Sequence, residues 1–468
     1  AIKYKVRKMA NIIKKLKRKH IYSIFMDILI KILQFILSFS LLVIIHELGH
    51  FLFARLFGTR VEKFYLFFNP WFSLFKFKKG DTEYGVGWIP FGGYVKIAGM
   101  IDESMDTEQL KQPVQPWEFR AKPAWQRLLI MVGGVVMNLV LALCIYIGIS
   151  YTWGDNYIDS KDVKYGYVFN EVGKEFGFKD GDKIIDVEGK QIEDFARIVP
   201  TIIVDQAKYV TVERDGKPLR ITMPETATAK ILDAQGFMTL RLPFVVGETV
   251  KGQGAAKAGL QPGDTLVAFN GKAMRFFDQF QTELAAHKGQ KVDLSIARDS
   301  AGITRIITLP VEVSQEGLIG VRVAPLNELL KISTHRYTFW QAIPQGIKRA
   351  GTEMVGYAKQ IKLLFSPKTE AYKSLGGIMA LGSFFPTTWD WESFWTITAF
   401  FSVALAFMNI LPIPGLDGGH VLFLLVEVIT RRKPSDKFME RATTVGFIIL
   451  IALLLFANGN DIYRFFIK

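Results

Sequence analysis

The residues best suited to chemistry lie in the stretch FSLLVIIHELGHFLFARLFG, residues 39–58. His46 and His50 are four residues apart, so both imidazoles share one face if this stretch is a helix. Two neutral imidazoles can chelate one zinc ion, and Glu47 can act as general base toward a metal-bound water. The pattern HELGH is weak evidence by itself. Here it interrupts an apolar run, where ionisable groups need partners, and a metal ion would supply one.

A third metal ligand is expected elsewhere in the chain, because a catalytic zinc site has three protein ligands and one open position. Asp417 lies in NILPIPGLDGG, residues 409–419, where prolines and glycines break an apolar run. Such backbone is tolerated at membrane depth only if it is buried in protein or lines a wet cavity. We therefore expect Asp417 to face the HELGH helix. His420 is a competing ligand, and a polar cluster without metal is the alternative to a metal site.

The elements that must position these residues are long apolar runs. The chain has 468 residues, of which half are hydrophobic. A bilayer is spanned by about 20 apolar residues in a helix. The runs long enough to span, the last of them with its flanking residues, cover 28–57, 128–151, 394–413 and 445–457. The sequence therefore predicts an α-helical membrane protein with four transmembrane helices.

Charge and cysteine content narrow the class further. The net charge is +14, and nine Lys or Arg fall within the first 20 residues. Beside a membrane span, such a basic tail favours membrane lipid or topology over nucleic acid, so no nucleic-acid partner is expected. Cys144 is the only cysteine, which excludes an intrachain disulfide and a thiolate zinc site. No cleavable signal peptide is evident, since the first apolar run is long and carries the charged cluster.

The region between the second and third runs contains an internal repeat. The segment GFKDGD at 177–182 recurs as GLQPGD at 259–264, and a Gly-Lys pair follows each copy at the same offset of 82 residues. Short β-branched runs flank these turns, which indicates two β-rich domains. The segment AGLQPGDTLVAFNGK resembles bacterial PDZ domains, which bind extended peptides by strand addition. Two structural spacers are the alternative interpretation.

Two further regions have distinct patterns. Residues 71–100 contain short strand-like runs separated by Gly-Asp and Gly-Gly turns, which predicts a β-hairpin or small sheet directly after the first span. Residues 326–391 have mixed helical faces, and we expect amphipathic helices along the membrane surface.

Together these motifs resemble the site-2 family of intramembrane metalloproteases. The matching segments are HELGH, the NxxPxPxLDG pattern at 409–418, the GxxxN pattern at 134–138 and IPFGGYVK at 89–96. With the tandem PDZ-like domains, the chain is most similar to the bacterial members that clip anti-sigma factors. The resemblance covers nearly everything from Met26 onward.

The resemblance implies a zinc site with His46, His50 and Asp417 as ligands and Glu47 as general base. The implied reaction is cleavage of a single-span membrane protein within its transmembrane segment. A helical substrate must unwind there, and a hairpin edge could accept the unwound strand. The residues that we expect to contact substrate are Asn409, Asn138, Gly92, Gly93 and Tyr94.

Two other functions are compatible with parts of the sequence. The first is a non-proteolytic membrane scaffold that binds zinc and carries peptide-binding PDZ-like domains. The intact Glu47 argues against it, since a structural zinc site has no need of a base. The second is a zinc transporter, which would need ligands spaced along a path, whereas one cluster is visible.

The expected domain organisation follows from these patterns. Basic residues mark cytoplasmic loops, and the clusters next to the four spans place the PDZ-like pair outside a bacterial inner membrane. We expect the basic extension before Met26 to be dispensable for insertion. The predicted regions are 1–25 as this extension, 26–58 as the first span, 59–125 as the hairpin region and loop, 126–153 as the second span, 154–245 and 246–325 as the PDZ-like domains, 326–391 as surface helices, 392–430 as the third span and 438–468 as the fourth.

Overall fold

The computed structural model describes residues 2–100, 112–234, 236–300 and 302–466. The chain forms two compact units. The first unit comprises Ala1–Gly154, Arg336–Ile361 and Leu375–Lys468, and the second comprises Asp155–His335 and Lys362–Ser374. The second unit is thus built from the soluble-looking middle of the sequence, and the first from the apolar segments on either side of it.

The helices alternate between long apolar elements and short connecting ones. In chain order they are α1 (Ile2–Leu56), α2 (Ala124–Thr152), α3 (Glu171–Glu175), α4 (Ile198–Val204), α5 (Ala227–Asp233), α6 (Gly254–Ala258), α7 (Phe277–Ala286), α8 (Leu326–Leu329), α9 (Phe339–Leu364), α10 (Ile378–Ser383), α11 (Trp391–Ile410), α12 (Asp417–Thr430) and α13 (Asp436–Phe466).

The strands fall into a small group before α2 and a larger group between α2 and α9. In chain order they are β1 (Val61–Phe68), β2 (Phe75–Lys79), β3 (Thr82–Val86), β4 (Ile89–Ile97), β5 (Asp155–Tyr157), β6 (Tyr167–Phe169), β7 (Lys183–Val187), β8 (Tyr209–Arg214), β9 (Lys217–Thr222), β10 (Met238–Leu240), β11 (Val246–Thr249), β12 (Thr265–Phe269), β13 (Lys272–Ala273), β14 (Lys291–Ser300), β15 (Ile303–Glu312), β16 (Val321–Val323) and β17 (Ser333–His335).

Four helices are long and apolar enough to cross a membrane, among the residues that the structure describes. They are Phe25–Leu56 of α1, Ala124–Thr152, Trp391–Ile410 and Lys437–Arg464 of α13. The prediction of four apolar helices is therefore confirmed. The region predicted as one third span, 392–430, is divided by a loop into α11 and α12, because Pro412 and Pro414 cannot continue a helix.

The hairpin region is a four-stranded mixed sheet with strand order β2-β3-β1-β4. Strand β1 pairs in parallel with β3 and antiparallel with β4. The sequence pattern predicted strands only from residue 71, so β1 was missed. Its sequence VEKFYLFF follows directly after a helix and lacks polar–apolar alternation. The consequence for the site is that β4 forms an edge of this sheet.

The region 326–391 is more varied than the predicted surface helices. Its first part, through β17, belongs to the second unit. The long helix α9 packs against α2, where Ala350 joins a buried cluster with Tyr146 and Ile149. A Cβ on Gly346 would lie 2.6 Å from the backbone nitrogen of Ile147, so glycine allows this close packing.

The second unit has two separate hydrophobic cores. One core is built around Tyr167, Val210 and Val212, and the other around Leu266 and Leu294. The first copy of the repeat holds the three-stranded sheet β7-β8-β9, and the second copy holds the four-stranded sheet β13-β12-β14-β15. Strands β5 and β17 pair with each other, so the beginning and the end of Asp155–His335 lie side by side.

Each copy of the repeat contains the same polar contact, which we call the Asp–Arg clasp. In the first copy, Asp182 accepts two hydrogen bonds from Arg214, at 2.8 and 2.7 Å. In the second copy, Asp264 accepts two from Arg298, both at 2.7 Å. Both carboxylates are buried, and each also accepts a backbone N–H from the Gly-Asp turn. The repeat seen in the sequence therefore corresponds to a repeated structural contact.

Candidate active site

The side chains of HELGH lie in the middle of the first unit and meet a carboxylate from α12. His46 and His50 are buried, and their Nε2 atoms are 3.2 Å apart. Asp417 is the first residue of α12. Its Oδ2 atom lies 3.1 Å from His46 Nε2 and 3.2 Å from His50 Nε2. Three potential ligand atoms therefore form a nearly equilateral triangle.

This triangle fits a zinc ion. Two ligands that are each about 2.0 Å from a tetrahedral zinc are about 3.3 Å from one another. The Oδ2 atom of Asp417 is buried and has no hydrogen-bond partner among the described residues. A buried carboxylate oxygen without a partner is costly, and a cation removes that cost. In the described part of the chain, this is the one group of three such side chains close enough to share a metal.

Glycines bring α1 and α2 close enough to form the site. A Cβ on Gly49 would lie 2.2 Å from the carbonyl oxygen of Gly133, so the two backbones touch there. A Cβ on Gly134 would lie 2.5 Å from His50 Nε2 and 2.6 Å from His46 Cε1. The two imidazoles therefore rest on a surface that only glycine provides.

A second set of glycines places the carboxylate. The chain turns back after α11, and Gly418 packs on this turn so closely that a Cβ would lie 2.0 Å from Leu411 O. A Cβ on Gly419 would lie 2.6 Å from the Cα of Pro414. Because both glycines follow Asp417 directly, they let α12 begin where its first side chain reaches the histidines. This explains the requirement for glycine after the aspartate.

A cavity of about 920 Å³ opens onto the three ligand atoms. Glu47, Asn409 and His420 line it, together with part of strand β4. A Cβ on Gly93 would lie 3.8 Å from Glu47 Cγ and 2.8 Å from Tyr65 O, so β4 passes close to the glutamate. The cavity thus joins a carboxylate, a potential metal position and a strand edge.

The residues predicted to contact substrate fall into two groups. Gly93, Tyr94 and Asn409 line the cavity, and the Asn409 amide nitrogen lies 3.3 Å from His46 Nε2. Gly92 has a φ of +67° and packs against Phe68, so its role here is in the shape of β4. Asn138 is fully buried against His46, away from the cavity lining.

Sequence reasoning missed some parts of the site. The carbonyl oxygen of Ile130 lies 2.9 Å from His50 Nδ1, but a backbone group leaves no signature in the side-chain pattern. The contact between Gly49 and Gly133 was also missed, although small residues on two apolar helices are a recognisable signal of close packing. His420, weighed as a competing ligand, lines the cavity but is outside the three-residue metal group.

Buried histidines and an aspartate around one point, with a glutamate beside them, are the side chains of a metallopeptidase. Comparison with known families leads to the same class. The model of peptidase family M50 matches residues 34–453. The chain belongs to peptidase family M50, and the predicted relationship to the site-2 proteases is thereby confirmed.

Bacterial relatives are similar along nearly their whole length. A protein of Haemophilus influenzae named regulator of sigma E protease is 26% identical over 92% of this chain and 98% of its own. The zinc metalloprotease RasP of Geobacillus kaustophilus is 27% identical over 93% of this chain and 98% of its own. The prediction of zinc as the cofactor of this family agrees with these names.

Proposed function

We propose that the protein is an intramembrane zinc endopeptidase that cleaves transmembrane segments of single-span membrane proteins. The observation that carries the proposal is the position of the His–His–Asp triangle and Glu47 on a helix that is apolar enough to span a bilayer. Ionisable groups at such a position are functional by default, because they are costly to keep there.

The three ligand residues would hold the ion, and Glu47 would handle protons. A bound zinc ion lowers the pKa of its water and polarises a carbonyl oxygen. Glu47 takes the proton from the attacking water and passes it to the amide nitrogen of the leaving chain. Asn409 lines the same cavity, where its amide N–H can donate to the carbonyl oxygen of the substrate.

Strand β4 supplies a way to hold the substrate in extended form. A peptide bond within a helix is shielded by hydrogen bonds and side chains, so the segment must unwind before it is cut. The free edge of β4 offers backbone N–H and C=O groups to an extended chain. Since β4 passes beside Glu47, strand addition would place the scissile bond within reach of the base.

The substrate class and location follow from the relatives and from charge. One relative is named regulator of sigma E protease, which supports an anti-sigma factor or similar single-span protein as substrate. The basic clusters beside the spans support a bacterial inner membrane, with the second unit on the outer side. The two β-rich copies are proposed to be PDZ-like domains that bind extended peptides and control access of substrates.

Replacing Glu47 with Gln tests the function. The change removes a base and keeps the metal ligands, so cleavage should fall at least about 100-fold while bound zinc stays constant. Purified protein in lipid vesicles would be incubated with a single-span substrate, and both product and zinc content measured. Glu440→Gln, an exposed site on α13, is the matched control and should cleave normally. Undiminished cleavage by the Glu47 variant would rule out the mechanism.

A further inference from the structure

The second ring nitrogen of each histidine decides whether the first can bind a metal. A neutral imidazole carries one proton, so a histidine that binds through Nε2 has its proton on Nδ1. That Nδ1–H needs an acceptor when it is buried, and such outer partners fix the ring and tune the metal. Both histidines place Nε2 toward Asp417, so both Nδ1 atoms require an acceptor.

His50 has its acceptor in the backbone of α2. Its Nδ1 lies 2.9 Å from the carbonyl oxygen of Ile130. Within α2 this carbonyl also accepts the helical hydrogen bond from residue 134, and an oxygen has two lone pairs for the two bonds. Because residue 134 is glycine, the carbonyl is not covered by a side chain and the ring can approach it.

His46 faces a side chain of the same helix, Asn138. Its Nδ1 lies 3.2 Å from the Asn138 amide nitrogen. Asn138 is 0% exposed, and its Oδ1 atom has no hydrogen-bond partner among the described residues. A protonated Nδ1 opposite an amide N–H places two donors together, which conflicts with metal binding through Nε2. A half-turn of the carboxamide exchanges its nitrogen and oxygen without altering its shape, and puts the orphaned oxygen on the Nδ1 proton.

We propose that Asn138 is a positioning residue that accepts the Nδ1 proton of His46 and so keeps its Nε2 directed at the metal. Helix α2 then serves as a template for the ligand pair through residues at four-residue spacing. Ile130 accepts from His50, Gly134 makes room for both rings, and Asn138 accepts from His46. This role replaces the substrate contact expected for Asn138, and it rests on the zinc site of the proposed function.

Asparagine 138 can be tested by two replacements of similar size and opposite chemistry. Asn138→Asp keeps an acceptor and removes the donor, whereas Asn138→Leu removes both. The full-length protein, purified with zinc in detergent, would be titrated with a competing chelator to measure zinc affinity. The expected order is that Asp retains the affinity of the wild type within a few-fold, and Leu loses about 10–100-fold. Ser150→Val, at a buried position farther along α2, is the matched control and should leave the affinity unchanged.

The other roles for Asn138 predict different orders. If Asn138 only fills space, Leu retains zinc and the buried carboxylate of the Asp variant is the more harmful change. If Asn138 donates to Nδ1, Asp and Leu both lose zinc. Either result overturns the inference, and the Asp variant alone decides the second case if the Leu variant does not accumulate. A wild type that binds no zinc would contradict the proposed function itself, so the two failures are distinguishable.

Discussion

The Asp–Arg clasp of the second unit and the His–His–Asp site of the first unit are both buried polar clusters, but they need different amounts of the chain. In each clasp the arginine is 32 or 34 residues from its aspartate, within one copy of the repeat. The metal site combines α1 with the first residue of α12, near the other end of the sequence. A clasp therefore depends on one domain, whereas the site depends on how several helices pack.

The partners that satisfy the charge also differ. In the clasp, two guanidinium N–H groups and a backbone N–H neutralise each carboxylate, so the cluster is complete by itself. In the metal site, Asp417 Oδ2 is left without a hydrogen bond among the described residues. The comparison teaches that a complete cluster contributes to stability, while an incomplete one is prepared for a ligand. The following changes test that distinction, beginning with the largest expected effect.

Adding one methyl group under the imidazoles should destroy the metal site without unfolding the protein. Gly134→Ala places a Cβ about where His50 Nε2 and His46 Cε1 now lie, at 2.5 and 2.6 Å. The rings can swing away at little energetic cost, but a displacement of about 1 Å is enough to reduce catalysis about 100-fold. Zinc content and substrate cleavage in vesicles should both fall.

Gly148→Ala is the control for this change, since it makes the same substitution in α2 where nothing lies within 4 Å of the added Cβ. It should behave as wild type. Retention of zinc and activity by Gly134→Ala would mean that the rings do not rest on α2 as described.

Breaking one clasp should weaken one copy of the repeat and leave the metal site intact. Arg214→Met leaves the buried Asp182 carboxylate without its main partner, which costs about 3 kcal/mol. Hydrogen exchange of the full chain, followed by mass spectrometry, should show lost protection in the first core only, because the two cores are separate. Arg298→Met should show the reverse pattern. If either change also lowers zinc content, the two clusters are not independent.

An exposed ion pair of similar length should have the smallest effect. Lys257 and Glu312 approach to 2.9 Å, close to the distances in the clasp, but both side chains are more than half exposed. Water and salt screen such a pair, so it contributes little. Lys257→Ala should leave exchange protection in the second core unchanged. A loss comparable to that of Arg298→Met would show that distance rather than burial sets the strength of these contacts.

The sequence predicted the parts of the site that depend on spacing and residue type. HELGH placed two histidines on one helical face, and the Pro- and Gly-rich break identified Asp417. The apolar runs located the four long helices, and the repeated Gly-Asp turn located the two copies of the β-rich domain. Each of these patterns reports on local geometry, such as helical periodicity or turn formation, that a few neighbouring residues determine.

The rest depends on contacts between distant segments. Nothing in the sequence around Asn138 indicates that it faces His46, because that contact depends on how closely α1 and α2 approach. Strand β1 was missed since its partners β3 and β4, which follow later in the chain, stabilise it more than its own pattern does. The backbone acceptor at Ile130 could not have been predicted from residue types at all.

The pairing of β5 with β17 has a consequence for the history of the gene. Paired strands hold opposite residues about 5 Å apart, so the segment Asp155–His335 leaves and re-enters the rest of the chain at nearly one place. A segment with adjacent ends can be inserted, duplicated or lost while the flanking chain keeps its path. The internal repeat with its offset of 82 residues is the record that such a duplication would leave. The number of repeated domains could therefore change in evolution without altering the helices that carry the metal ligands.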